Sequence, residues 1–348
     1  MSRGRAKFDT TELGVVLSYY DLGVIESITE FDRGSSRSPK VGIVSERGKY
    51  VLKRRAADRA MPDRVRFAHR VQAHLADDGF PLPKLIPTID RASTLVQIRE
   101  HIYELFEFVA GQPFERTSNE ARSAGGLLSR FHQSGGDFDA QHKFRSPRGD
   151  YHDSPAVRTG LLTIEATLSS HESFAGNESE LSDLVQTLLL AYDRAAAASN
   201  RLGLQSKEDV IVHLDWHPGN LLFKKGEAIA VLDYDSVRRS KRLLDVANGA
   251  LQFSMLAGED PINWPDDLYT DRYAAFLQGY ESGLPLADGE RGCLPNLMAE
   301  ALVAECVPPI TRTGSVGRWA GYRVLQMVRR KVNWLMTHSD GLVRAPAS

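Results

Sequence analysis

VIVHLDWHPGNLLF, residues 210–223, places His213, Asp215, His217, Pro218, Gly219 and Asn220 between two apolar runs. Three readings fit such a stretch. On an extended strand His213, Asp215 and His217 alternate onto one face, where they could hold zinc for hydrolysis. Alternatively, Asp215 and Asn220, five apart across a proline-glycine turn, have the spacing of a loop that orients a hydroxyl for phosphoryl transfer. A well-capped tight turn would need no chemistry at all. The remaining histidines are scattered without ligand spacing, which counts against zinc.

Phosphoryl transfer requires more than a base. It needs oxygen ligands for magnesium and a cation on the nucleotide phosphates. Thirteen residues beyond Asn220, the apolar run AIAVL delivers Asp233 into DYDS, where a strand end can present a carboxylate to a metal. Asn220 and Asp233 form the modest ligand set that magnesium takes. The cation is upstream: Lys53 lies in KYVLKRR, at the end of an alternating strand, as the lysine of a kinase sheet does. The turn before it, DRGSSRSPKVG, could lay amides over phosphates, although no Walker motif occurs. Each element also has an ordinary reading. Lys53 belongs to a run of three basic residues that suits a surface strand end, and Asp233 could cap a helix. Their order along the chain favours the chemical reading over coincidence.

Elsewhere the pattern divides the chain. ESITEF (26–31), VGIVSERGKYVLKRR (41–55) and LVQIREHIYELFEFV (95–109) read as strands, the second as a hairpin. MPDRVRFAHRVQAHLADDGF reads as a helix with Val65, Ala68, Val71 and Leu75 on one face. Beyond FVAGQPFE (108–115) helical periods dominate: NEARSAGGLLSRFHQSGG, ESELSDLVQTLLLAYDRAAAASNRLG and GSVGRWAGYRVLQMVRRKVNWLMTH. The expected architecture is α+β, with an antiparallel sheet and one helix over residues 1–107 and a mainly helical part over 108–348.

At these residues the chain resembles the superfamily of aminoglycoside phosphotransferases, choline kinases and type II homoserine kinases. That family carries roughly H-G-D-x-H-x-x-N, then I-D-[FWY]-[DE], then an aspartate in a following helix. The counterparts here are HLDWHPGN, LDYD and RRLLDVANGALQF. The resemblance runs from about residue 20 to 335 and implies a bilobal protein kinase-like fold. It implies ATP- and Mg2+-dependent phosphorylation of a hydroxyl on a small molecule. Asp215 would be the catalytic base, Asn220 and Asp233 the magnesium ligands, and Lys53 the phosphate-binding cation. Ser35 and Ser36 would lie in the phosphate-covering loop, with Phe106 to Phe108 in the hinge beside adenine. His213 and His217 would support the loop, Asp245 would buttress it, and His132 would be packed.

The chain departs from the family pattern at two places. Leu214 stands where the family has glycine. The sheet-domain helix has Ala68, His69 and Gln72 where a glutamate normally pairs with the lysine; Asp77 and Asp78 lie at its wrong end, leaving Glu100, Glu104 and Glu107 as substitutes. An unpartnered lysine would suit a pseudokinase that binds nucleotide without turnover, which is the alternative function.

Composition limits the partners. With 42% hydrophobic and 25% charged residues and a formal net charge of −2, nothing attracts nucleic acid or an anionic membrane globally. No apolar run reaches membrane-spanning length, no secretory signal is visible, and two cysteines make no disulfide framework, so a reducing cytoplasm is expected. The acceptor should be a small molecule held by the helical part. Carboxylates Glu300 and Glu305 occur there, but so do Arg312, Arg318, Arg323, Arg329 and Arg330. If some of these face the cleft, an acceptor with its own carboxylate or phosphate is expected, such as homoserine. The competing reading is that they cover solvated helix faces.

Overall fold

A computed structural model describes residues 6–31, 37–55, 60–138, 149–170 and 177–344. Five antiparallel strands build the first part: β1 (Ile25–Glu30), β2 (Lys40–Ser45), β3 (Gly48–Arg54), β4 (Val96–Ile98) and β5 (His101–Glu107), in the order β1-β2-β3-β5-β4. The register puts Lys53 opposite Lys40 on one side and Glu104 on the other. Alternation then decides the faces. Val41, Ile43, Leu52 and Leu105 point to a core shared with Val16 and Leu17 of helix α1 (Thr10–Leu17). Lys53 and Glu104, one residue out of phase, point to the opposite face, which helix α2 (Pro62–Asp77) meets through Val65, packed with Leu95 and Ile102, and through His69 beside Glu104.

Sequence reading expected one helix here, and α2 is that helix. The second, α1, has eight residues, too few for a period to register, and its start is marked by a capping box between Asp9 and Glu12. KRR (53–55) is not a solvated strand end. Lys53 and Arg55 are buried, and Arg54 pairs with Glu12 at 2.6 Å.

The chain leaves β5 through a connection that is tied to the helical part. Gln112 and Phe223 exchange backbone hydrogen bonds of 2.7 and 2.8 Å. Gly111 is required there, because a Cβ would stand 2.7 Å from that of Leu222. Helices α3 (Ser118–Gly136), α4 (Pro155–Ser169), α5 (Glu178–Arg201), α6 (Arg242–Ser254), α7 (Thr270–Glu281), α8 (Asp288–Thr313), α9 (Gly321–Thr337) and α10 (Ser339–Arg344) pack around one core. The last long helix starts at Gly321, later than its periodicity suggests. Gly314 and Gly317 take positive φ and break the pattern into a short hairpin first. Short antiparallel pairs carry the site: β6 (Asp209–Val212) with β9 (Arg238–Lys241), and β7 (Leu221–Lys224) with β8 (Glu227–Val231). Among the described residues no helix is long and apolar enough to cross a membrane.

Candidate active site

The loop after β6 is held from below by one carboxylate. Asp245, the fourth residue of α6 and fully buried, accepts hydrogen bonds of 2.6 Å from the backbone N–H of both His213 and Leu214. His132 Nε2 lies 3.1 Å from Asp245, and its Nδ1 lies 2.9 Å from the hydroxyl of Tyr280, to which Arg242 also donates. Asp245 therefore supports the loop and does not cap its own helix. Presenting both amides to it puts Leu214 at φ 57°, in the left-handed region. The family's glycine is explained by that backbone, which an L-residue adopts at a cost.

His213, Asp215 and His217 do not share a face. The strand ends at Val212. His213 is fully buried, its ring packed among Phe131, Trp216 and Tyr234 and its Nε2 3.2 Å from the carbonyl of Leu232. His217 stays near the surface, where its Nδ1 accepts from the N–H of Gly219 at 3.0 Å. Its Nε2 lies 3.6 Å from Asp215. The shared face that a zinc site required is absent. Asn220 closes the loop by donating to the carbonyl and carboxylate of Asp215, both at 2.9 Å.

Hairpin β7–β8 brings the next carboxylate alongside. The N–H of Leu232 donates to the carbonyl of Asn220 at 2.8 Å, so Asp233 follows directly beside Asn220. Asp233 has φ 61° and makes no helix-capping bond; its side chain reaches the sheet, where Lys53 donates to it at 3.0 Å. Lys53 also donates to Asp235 at 2.7 Å. Burial alone would lower the lysine and raise the acid. The opposite charges overcome it, holding Lys53 above its ordinary range and Asp233 well below the usual carboxylate range. Lys40 adds a second cation 3.9 Å from Asp233.

The missing helix glutamate is thus accounted for. The acid that holds Lys53 comes from LDYD, as Asp235. Of the substitutes suggested by sequence, Glu104 is the one nearest to Lys53 in register, but it is committed elsewhere. It accepts from Arg55 at 2.6 and 2.8 Å and lies 2.6 Å from His69 Nε2. Arg55 also approaches Asp235 at 3.0 Å, and Arg64 of α2 donates to the Asp235 carbonyl at 2.6 Å. Asp235 had not been singled out in the sequence; the final acidic position of the family's I-D-[FWY]-[DE] was the signal for it. In the hinge, Phe106 pairs with Val51 across β3–β5, and Phe108 is exposed with its N–H bonded to the carbonyl of Lys49. Ser35 and Ser36 lie outside the described residues.

The arginines of the last helices are mostly occupied. Arg318 lies over the Trp319 ring, Arg323 pairs with Asp260, and Arg330 pairs with Asp266. Arg312 borders a cavity beside Asp215.

A small antiparallel sheet joined to a helical part, with the Asp215–Asn220 loop beside a lysine–aspartate pair, is the architecture of a kinase-like phosphotransferase. The family model described as "Phosphotransferase enzyme family" matches residues 27–290, and the chain belongs to that family of small-molecule kinases. It is similar to a homoserine kinase of Gluconobacter oxydans, 24% identical over 296 residues, 84% of each chain. Its fold is like that of a microcompartment-associated aminopropanol kinase, with TM-score 0.71, 16% identity, and coverage of 97% of this chain and 100% of that one. It is also like amicoumacin kinase in complex with AMP-PNP, Ca2+ and Ami, with TM-score 0.67, 14% identity, and coverage of 95% and 94%.

Proposed function

We propose that the enzyme transfers the γ-phosphoryl group of Mg·ATP to a hydroxyl of a small acceptor. The observation that carries this reading is the meeting of Lys53 with Asp233 beside the Asp215–Asn220 loop. Asp215 accepts the hydroxyl proton and aims the oxygen. The amide of Asn220 holds the carboxylate in place for this. Lys53, held between two carboxylates, supplies fixed positive charge to the phosphates, which costs no reorganisation during reaction. The stretch from Phe106 to Phe108 would meet adenine through its carbonyls, since the N–H groups of Glu107 and Phe108 are bonded to Lys84 and Lys49.

A magnesium ion fits the donor set. Asn220 and Asp233 are hard oxygen donors just beyond the adjoining ends of β7 and β8, and Asp233 is ionised at neutral pH because of its cationic neighbours. When bound, the ion would neutralise charge on the transferring group. The homoserine and amicoumacin kinases, and the AMP-PNP and Ca2+ of the latter structure, support the choice of a hydroxyl acceptor and a nucleotide–metal donor.

The test is Mg-dependent ADP release over a panel of small hydroxyl compounds, with wild type and Asp215→Ala side by side. The expected outcome is acceptor-stimulated release that falls by about 10²–10⁴-fold in the variant, the contribution of a positioned base, while nucleotide still binds. Equal release from both proteins would remove Asp215 from the reaction.

A further inference from the structure

Two cavities flank the catalytic loop, and Glu305 lines both. One, of about 980 Å³, includes Leu214 and Asp215. The other, of about 550 Å³, lies beside His217 and is walled by Phe114, Trp264 and Trp319. Its size suits a small ligand. Its charges are unusual: it is lined by two guanidinium groups, Arg116 and Arg272, and by one carboxylate, that of Glu305.

Arg272 is 4% exposed. Its guanidinium lies 4.7 Å over the ring of Tyr269 and 6.0 Å from that of Phe114. One nitrogen donates to the carbonyl of Met255 at a long 3.4 Å, and Nε has no partner. Among the described residues no carboxylate pairs with it. Burial and the nearby charge of Arg116 both work against its proton. A buried cation without an anion is unfavourable in the empty protein, and an incoming anion relieves that cost. Glu305, on the wall shared with the Asp215 cavity, is not spent on an ion pair either; it accepts from the amide of Gln252 at 2.7 and 2.8 Å.

We propose that Arg272, assisted by Arg116, anchors a carboxylate of the acceptor, so that the substrate is a small hydroxy acid with Glu305 facing its amine when it has one. This rests on the phosphotransfer reading for the hydroxyl end only. Arg272 lines this cavity and carries its charge with no carboxylate beside it among the described residues, so a carboxylate entering the cavity supplies the missing counter-charge. Of the arginines that sequence pointed to, Arg323 pairs with Asp260, Arg318 lies over Trp319 and Arg312 borders the Asp215 cavity; Arg272, on α7, is the buried one on the wall of the smaller cavity.

The test compares matched acceptors that differ by one carboxylate: L-homoserine with 3-aminopropan-1-ol, and L-threonine with 1-aminopropan-2-ol. Binding is measured by calorimetry on the full chain with Mg2+ and AMP-PNP, and turnover by ADP release. At least one hydroxy acid is expected to bind about 10–100-fold tighter than its decarboxylated counterpart, the range of a charged hydrogen bond. Arg272→Gln should erase that preference through KM, with kcat changed far less, and Arg272→Lys should restore part of it. Arg116→Gln, at an exposed position, should weaken it by a smaller factor and serves if Arg272→Gln fails to fold. Preference for the amino alcohols, binding of neither hydroxy acid, or a preference untouched in both Gln variants overturns the anchor. The two readings fail separately. Carboxylate-dependent binding without ADP release from any acceptor removes phosphotransfer and keeps the anchor. ADP release from amino alcohols alone does the reverse.

Discussion

Two arginines are almost equally buried and live in opposite circumstances. Arg55 is 2% exposed and Arg272 is 4% exposed. Arg55 meets Glu104 through two hydrogen bonds and Asp235 through an ion pair. Arg272 meets aromatic rings and one distant carbonyl. The side of the cleft proposed for the nucleotide is therefore a paired network, in which Lys40, Lys53 and Arg55 stand against Asp233, Asp235 and Glu104. The cavity proposed for the acceptor has a charge left over. A kinase needs that contrast: its donor geometry can be shared across substrates, while its acceptor pocket must be completed by a particular molecule.

Removing each arginine is the strongest way to break the comparison. Arg55→Gln removes the ion-pair partner of the buried Glu104 and leaves His69 as its hydrogen-bond partner, and breaking such a pair costs about 3–5 kcal/mol. Arg272→Gln removes an uncompensated charge, so the expected cost is below about 1 kcal/mol after some lost ring packing. Urea unfolding of the two variants would check this. Equal losses would mean that Arg272 serves the fold as Arg55 does. The paired network also has a pH signature. Glu104 and Asp233 have folded pKa values below their unfolded ones, so the unfolded chain binds more protons in acid. Their contribution is present above about pH 4 and is lost as pH falls below it.

The paired side also constrains the backbone, and Leu214 measures by how much. Glycine is ordinarily less favourable than alanine by roughly 0.5–1 kcal/mol. At φ 57° the order should reverse. Leu214→Gly is expected to be more stable than Leu214→Ala by about 1 kcal/mol, because the left-handed conformation costs an L-residue about that much. Thermal unfolding of the pair decides it. The usual order would show that Asp245 does not hold this backbone in place.

How much of this was legible in the chain depended on distance along it. The loop and its aspartate were readable because HLDWHPGN and LDYD pack their chemistry into a few residues. The sheet was readable from alternation and the long helices from their period. The lysine's true partner was not, because Asp235 is 182 residues from Lys53 and only the meeting of sheet and hairpin joins them. The same holds for Arg272. In sequence it is one charge in TDRYAAFLQGYE, no different from Arg318 or Arg323. What distinguishes it is burial without a counter-charge: Arg323 pairs with Asp260, Arg318 lies exposed over Trp319, and Arg272 is buried with no carboxylate beside it among the described residues. An unpaired side chain leaves no local pattern.

The smallest expected effect concerns Glu305, the carboxylate that lines both cavities. It is exposed on the cavity walls, within the body of the helical part. Burial pushes its carboxyl up, Asp215 pushes it further, and the Gln252 amide pulls it back, for a net rise to about 7. The sign follows from the folded value standing above the unfolded one. Between the two, the folded protein binds the extra proton, so this contribution to stability is full below about pH 4.5 and is lost as pH rises through 7. Glu305→Gln cannot titrate, and its stability relative to wild type should improve between pH 5 and 8. Because the group touches water, the gain should stay within about 1 kcal/mol. Binding should move the opposite way. An amine on the acceptor gains its counter-charge only once Glu305 ionises, so the wild-type KM for an amino acid acceptor should fall over the same pH span and stay flat in Glu305→Gln. The Arg272 end keeps its charge throughout, so a hydroxy acid without an amine should show no such fall. If both acceptors respond alike, Glu305 does not read the amine, and the acceptor cavity has one charged end rather than two.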